Sequence, residues 1–467
     1  MNRLSIANSI DDAVVDDLKA SFRGKIIRPV DTKYDKHRKV WNGSIDRHPE
    51  LIARCTGVAD VIEAVRFAHS NELHTAVRGG GHSFPGHSVC DGGIVIDLGR
   101  MKGIRVDPEA RTVRAQAGVL LGELDRETQV FGLAVPAGIV THTGIAGLTL
   151  GGGMGWVQRK FGLAIDNLQS VDLVTAGGEV IKANNKENSD LFWGVRGGGG
   201  NFGIVTEFEF HLNPVGPQVF AGPIFWRIEE AAKVLRFYRD WVADSPDELM
   251  TILTLRRAPD LPVVPSELVG KHVLGIVFFY LGPIEEGEKL LQPLRSFGSP
   301  VLDLVGPKQF VEHQAFFDRS FPPGWWYYVR SCDVSELNDD IIDIMVDYGS
   351  RIASPITTLG LWQMGGAVAR VGVNETAFNG RKAGFTFNIN GNTMSAEGFE
   401  QEREWARSCW TALDPYHTST YVNFLMEEGE ERIRQSYSAE KYTRLKMLKR
   451  KYDPTNFFRL NQNITPD

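Results

Sequence analysis

The 467-residue chain predicts an α+β fold built from two unlike parts. Three observations carry that reading. Helical and strand periodicities alternate from Val58 to Phe210, three separate glycine runs interrupt that stretch, and from about Phe220 to Leu413 the character changes to strands and amphipathic helices amid dense aromatics. Pro214 and Pro217 mark the boundary between the two parts.

In chain order, Val58, Val61, Ile62, Val65 and Ala68 recur at helical spacing and predict a helix over 58–70, with Thr56 as its cap. A short strand over Thr75 to Arg78 runs into Gly79-Gly80-Gly81-His82-Ser83, and another follows at Ile94 to Leu98. Ile104 to Asp107 and Thr112 to Ala117 read as a hairpin whose turn starts at Asp107-Pro108. Val119 to Val130 reads as a helix. Val135 to Gly155 is rich in small residues and ends in Gly151-Gly152-Gly153-Met154-Gly155. Val171 to Thr175 and Glu179 to Ala183 pair around Gly177-Gly178. Gly197 to Gly200 leads into a strand over Ile204 to Phe210. Beyond the boundary, Val273 to Tyr280 is strand-like and Ile284 to Phe297 is an amphipathic helix. The last part predicts a strand over Thr420 to Phe424 and a helix over Ala439 to Lys451.

Composition narrows the function classes. With 42% hydrophobic and 23% charged residues the chain is globular and long enough for a sizeable core. A formal net charge of −7 and the lack of a basic patch argue against nucleic acid or an anionic membrane as partner. No apolar run approaches the ~20 residues that span a bilayer. Met1 to Lys19 lacks the basic and apolar regions of a secretory signal, so a cytoplasmic location is expected. Cys55, Cys90, Cys332 and Cys409 are scattered and are expected as reduced thiols. The histidines form no H-E-x-x-H or other ligand cluster, so no metal is expected.

The glycine runs are the informative feature. Without a Cβ, a glycine loop lets main-chain N–H groups approach a ligand closely, and several such loops hold a pyrophosphate without much basic charge. Three loops within residues 79 to 203 therefore predict a large anionic cofactor. Gly198, Gly200 and Gly203 fit G-x-G-x-x-G, but that dinucleotide fingerprint needs a helix after it. Here Ile204-Val205-Thr206-Glu207-Phe208-Glu209-Phe210 alternates like a strand, which argues against a Rossmann site. No G-x-x-x-x-G-K-[S/T] occurs, so a P-loop is excluded.

Four ordered blocks carry a resemblance. They are Arg78-Gly79-Gly80-Gly81-His82-Ser83; the stretch from Pro136-Ala137-Gly138 through Gly151-Gly152-Gly153 and Phe161 to Gly162-Leu163-Ala164-Ile165-Asp166-Asn167; Gly199-Gly200-Asn201-Phe202-Gly203-Ile204-Val205-Thr206-Glu207-Phe208; and Tyr452-Asp453-Pro454-Thr455-Asn456-Phe457-Phe458 followed by Asn461-Gln462-Asn463. Together they resemble the PCMH-type flavin-binding module of the vanillyl-alcohol oxidase superfamily, and most of all its berberine bridge enzyme-like branch. The resemblance implies an α+β fold with a two-part FAD-binding domain over 25–215, a substrate domain over 216–415 carrying an antiparallel sheet flanked by helices, and a berberine-like segment over 416–467 returning to the FAD domain. It covers 216–415 only loosely, and that is where substrate identity is written.

The resemblance also implies roles. His82 matches the position that bonds through its imidazole to the 8α-carbon of FAD. Val140 stands where some relatives place a second, cysteinyl attachment, so one tether is expected rather than two. His142 is expected near the flavin but not on it. Gly79, Gly80, Gly81 and Ser83 are expected around the pyrophosphate, and Arg78, which opens the block, is expected among the cofactor-binding residues. Gly147, Gly151, Gly152, Asn201, Gly203 and Val205 are expected at the ring, ribose or adenine, and Asn461 over the isoalloxazine. Thr143 matches the place where such enzymes control oxygen access. Tyr421 is the expected catalytic base, because removing an O–H or N–H proton eases hydride transfer from the adjacent carbon to flavin N5. Phe424 stands where relatives often have a second tyrosine. Tyr328, Arg330, Trp362 and Gln363 are candidate helpers, and Trp325-Trp326-Tyr327-Tyr328 suggests a surface for a flat substrate. The expected activity is oxidation of a small alcohol, amine, sugar or secondary metabolite by FAD, reoxidised by O2 with release of H2O2. The alternative is a flavin-dependent or flavin-scaffolded cyclase, and a degenerate flavin fold that only binds is a third reading.

Overall fold

The computed structural model describes residues 10–466. The reading of the extreme N-terminus therefore lies, for residues 1–9, outside the described residues. No helix among the described residues is long and apolar enough to cross a membrane.

Short apolar runs flanked by turn residues build the first sheet, in the order Lys25–Ile27, Leu51–Arg54, Ile94–Asp97, Thr75–Arg78. The last three strands are parallel. The helix Val58–Ser70 carries the chain from Leu51–Arg54 to Thr75–Arg78, which flank Ile94–Asp97 on either side, and buries Val61, Ala64, Val65 and Ala68. Thr56 does not cap this helix: Gly57 is the N-cap, and the Asp60 carboxylate accepts instead from the Thr56 N–H at 2.7 Å and the Thr56 hydroxyl at 2.8 Å. The bond runs backwards because Asp60, a turn inside, is the acceptor.

A second, fully antiparallel sheet follows in the order Ile104–Asp107, Thr112–Gln116, Ile204–His211, Leu168–Val174, Val180–Asn184. Both expected hairpins are present, and the residues after the third glycine run form a strand, not a helix. The expected helix from Val119 shortens to Leu121–Thr128, followed by a single 3₁₀ turn over Gln129–Phe131.

The middle of the chain makes one large antiparallel sheet, ordered Leu302–Asp303, Gln218–Arg227, His272–Tyr280, Leu249–Arg257, Thr358–Gln363, Phe385–Thr393, Trp326–Val334, with Gly306–Gln309 also paired to Gln218–Arg227. Alternation along its strands sends side chains to opposite faces. Leu359, Leu361, Phe387 and Ile389 face a core made with the helices Ala231–Val242, Asp339–Ser350 and Phe399–Ala412. Met250, Ile252, Val277, Phe279 and Trp362 face the other way, onto Met154, Trp156 and Ile165 from the glycine-rich part. A sheet covered on both faces reads as continuous apolar runs, which is how Val273 to Tyr280 looks in sequence.

The chain then returns. Tyr437, Leu445, Leu448, Phe458 and Ile464 join the core formed by residues of the first two sheets. Lys449, fully buried, clamps this return: its ammonium meets the Asp453 carboxylate at 2.7 Å and the carbonyls of Asn201 at 2.8 Å and Phe458 at 2.9 Å. The strand expected over Thr420 to Phe424 is absent. A single bridge from Ser419 to Asp333 is followed by a 3₁₀ turn over Val422–Phe424. The turn is stabilised by the Phe424 N–H donating to the Tyr421 carbonyl at 2.9 Å and by Asn423 donating to the Leu148 carbonyl at 3.0 Å.

Candidate active site

A cavity opens where the glycine loops meet the inward face of the large sheet. The loops supply its walls at 79–85, 138–150 and 199–205, the sheet supplies Trp362 and Asn388, and the C-terminal return supplies 421–425 and 458–462. Of the residues singled out in the sequence, Gly79, Gly80, Gly81, His82, Ser83, Thr143, Gly147, Gly203, Val205, Tyr421 and Asn461 line it together.

Four others stand behind the wall. Arg78 pairs with the Asp97 carboxylate at 3.0 Å, fixing the strand that presents the first loop. A Cβ on Gly151 would sit 2.2 Å from Asn423 Oδ1, so Gly151 makes room for the 421–424 turn. Gly152 adopts φ +143° against Phe378 and Tyr421. Asn201 donates to the carbonyls of Gly198 at 2.9 Å and Gln462 at 3.1 Å and accepts from the Ile464 N–H at 2.9 Å, tying the tail to the third loop. Close packing and buried pairing place these four residues directly behind the lining, where they support the cavity wall.

The candidate helpers separate by strand parity. Trp362 faces the cavity, whereas its neighbour Gln363 points to the helix side, donating to Ser245 Oγ at 3.0 Å and accepting from Thr251 Oγ1 at 2.9 Å. Tyr328 and Arg330 also lie on the outer face, where Arg330 donates to the Tyr328 phenol at 2.8 Å and pairs with Glu428. The Trp325 to Tyr328 run therefore offers no lining surface. Aromatic walls come instead from Trp41, Phe84, Phe321, Trp362, Tyr421 and Phe424.

His82 is held from two sides. Its ring stacks on Trp41 at 4.7 Å, and Trp41 stacks on Tyr327 at 3.8 Å. Trp41 is itself pinned by N–H bonds to the Gly81 carbonyl at 3.1 Å and from Nε1 to the Phe321 carbonyl at 2.8 Å. His82 Nε2 lies 2.7 Å from His142 Nδ1. Burial pushes the His82 pKa down to about 3, with the neighbouring His142 adding to the effect, so the imidazole is neutral and nucleophilic. Nothing near Trp41 in the sequence marks it as part of the site. His87, which also lines the cavity, lies four residues beyond the first block and is not signalled by it.

Tyr421 lines the same cavity from the C-terminal return. Its phenolic oxygen accepts two hydrogen bonds, from the Gly153 N–H at 3.0 Å and the Asn423 amide at 2.9 Å. Burial raises the phenol above its usual pKa, and those two donors oppose the rise by favouring the phenolate. Among the described residues no Asp, Glu, Lys or Arg lines the cavity.

FAD fits this donor set. A Cβ on Gly80 would lie 2.3 Å from the Gly144 nitrogen, so only glycines let the first two loops close on each other. The N–H groups of Gly80, Gly81, His82 and Ser83 donate to no protein acceptor among the described residues, leaving a run of main-chain donors for an anion. A Cβ at Gly147 or Gly200 would meet nothing within 4 Å, so these positions border open space. The buried His87 Nε2, Ser88 Oγ, Asn388 Nδ2 and Asn461 Oδ1 have no protein partner and belong to lining residues. Such orphaned polar atoms call for a polar ligand. No cysteine lines the cavity; all four are free and buried elsewhere, and no metal-ligand cluster occurs among the described residues.

Fold and site thus define an FAD-dependent oxidoreductase. The FAD binding domain family matches residues 49–184 and the berberine and berberine-like family matches residues 420–465. An FAD-linked oxidoreductase of Dictyostelium discoideum is 32% identical over 459 residues, covering 97% of both chains. The (R)-6-hydroxynicotine oxidase of Paenarthrobacter nicotinovorans is 31% identical over 474 residues, covering 96% of this chain and 98% of that one. The crystal structure of 6-hydroxy-D-nicotine oxidase from Arthrobacter nicotinovorans superposes with a TM-score of 0.85 at 31% identity, covering 96% of this chain and 99% of that chain. The chain belongs to the berberine bridge enzyme-like FAD-linked oxidoreductases, and it is a flavoenzyme of the PCMH type.

Proposed function

We propose that this flavoenzyme oxidises a small, uncharged organic substrate bearing a C–H beside an O–H or N–H, with FAD tethered once, through His82, and O2 as the final acceptor. The observation that carries the reading is that Tyr421 and His82 line one cavity that, among the described residues, has no Asp, Glu, Lys or Arg in its wall. Bound FAD would supply the hydride acceptor, at N5, and a route for two electrons to O2. The chain's residues do the rest. His82 and the glycine N–H groups hold the cofactor. Trp41, Phe321, Trp362 and Phe424 exclude water and present flat apolar surface to the substrate. Tyr421, steadied by Gly153 and Asn423, takes the substrate's O–H or N–H proton. Asn388, with its amide nitrogen unpartnered, orients a substrate acceptor. Val140, where a second attachment would stand, has no nucleophile, which supports a single tether.

The substrate domain of 216–415 and the FAD-binding halves on either side of it are proposed as the working units. Since one relative is named as a 6-hydroxynicotine oxidase, neutral heteroaromatic amines and alcohols head the compounds to try. The test is anaerobic bleaching of the flavin absorbance. Bleaching by such a compound, and its reversal with H2O2 release on admitting air, is the expected result. A flavin that stays oxidised with amines, alcohols and sugars alike would remove the hydride-transfer reading.

A further inference from the structure

We propose that His142 is the base that attaches the cofactor: it receives the His82 imidazole proton while the His82–FAD bond forms. The inference rests on the tether proposed above and goes beyond it in assigning how the tether is made.

The geometry points to this in three ways. His142 stands behind the cavity wall, between the lining residues Val140 and Thr143 and next to His82. Its Nδ1 is 2.7 Å from His82 Nε2, while its own Nε2 is buried with no partner. With a proton on His142 Nε2, Nδ1 accepts from His82 Nε2–H, and His82 Nδ1 keeps the lone pair that attacks. The third feature is Asp318. Its carboxylate accepts from the Thr141 N–H at 2.8 Å and the Thr141 hydroxyl at 2.5 Å, one residue from His142. Burial lowers the His142 pKa and Asp318 opposes that, so a negative charge waits beside the imidazole that gains a proton. Among the described residues no carboxylate or amine on the cavity wall competes as base.

A C–H bond at the 8α-methyl and the N–H bond at His82 Nε2 break. A bond forms between the 8α-carbon and His82 Nδ1. The two electrons released remain on the isoalloxazine, the methyl proton goes to the ring or solvent, and the imidazole proton goes to His142. O2 then takes two electrons and two protons, giving H2O2 and an oxidised, tethered flavin.

The test incubates His142→Ala and His142→Asn with excess FAD in air and follows the flavin that precipitates with protein in acid. Asn can still accept from His82 Nε2–H but takes up no proton, so it separates a base from a group that only fixes the tautomer. Both variants are expected to bind FAD, released to the supernatant by acid, and to attach it roughly a hundredfold more slowly than wild type, within the range of general-base effects. Attachment by His142→Asn at the wild-type rate would overturn the role of His142 alone. Wild-type protein that itself releases all its flavin to acid would overturn the tether and this role together.

Discussion

Tyr421 works as a base only if its oxygen can carry charge in a dry site. Two donors, Gly153 N–H and Asn423 Nδ2, aim at that oxygen, and burial alone would hold the proton on. Tyr421→Phe keeps the ring contacts with Phe378 and Phe424 but removes the acceptor. The rate of flavin reduction is expected to fall roughly a hundred- to ten-thousand-fold, the usual contribution of a positioned base, with substrate binding little changed. Single-turnover reduction at saturating substrate checks this, and a rate within threefold of wild type would dismiss Tyr421 as the base. At this scale the sequence was legible wherever a residue belongs to a contiguous block, as with Gly79 to Ser83. It was silent on Trp41, which reaches His82 only through the tertiary stack with Tyr327. It also misplaced Tyr328, Arg330 and Gln363, because strand parity, not proximity in sequence, decides which face a side chain takes.

At the level of elements, the glycines divide into two physical kinds. Gly80 and Gly144 hold two loops in backbone contact, and Gly151 accommodates Asn423. Gly147, inside the helix Ile145–Gly151, and Gly200 face open space. Gly147→Ala should therefore leave the apoprotein as stable or more stable, by about 0.5–1 kcal/mol from helix preference, while weakening FAD binding by filling the cradle. Thermal melts with and without FAD check both signs; an FAD affinity equal to wild type would show that Gly147 does not border the cofactor. The elements themselves were largely readable: the helix over 58–70 and the strand over 75–78 stand where periodicity put them. The 421–424 segment was not. Its alternating apolar residues look like a strand, but Asn423 bonds Leu148 of the glycine-rich part and curls the chain into a turn. That turn brings Tyr421 and Phe424 to one wall, which a strand would have sent to opposite faces.

Taken whole, the molecule carries several histidines that folding keeps neutral. Burial brings His82 and His313 down to about 3 and His87 and His417 to about 4, from an ordinary 6.5. Each has a folded pKa below its unfolded value, so the unfolded chain binds more protons between those limits. Their contribution to stability is thus full above about pH 6.5 and is lost as the pH falls through 4 towards 3. His313, packed by Trp156 at 4.3 Å with neither ring nitrogen partnered, isolates the effect. Melting the apoprotein across that window should show a steady fall in Tm, less steep in His313→Phe; a flat profile would contradict the neutral, buried assignment. The two-part architecture was readable from composition because the aromatic-rich middle differs so plainly from the glycine-rich flanks. The return of the last segment to the first core was not readable from periodicity, since the Lys449–Asp453 clamp is made with Asn201 far away in sequence.

Acid precipitation of the purified protein shows whether the flavin is fixed at His82. Yellow colour is expected to stay with the wild-type pellet and to move to the supernatant in His82→Ala. A wild-type pellet that turns white, or a His82→Ala pellet that stays yellow, would contradict it.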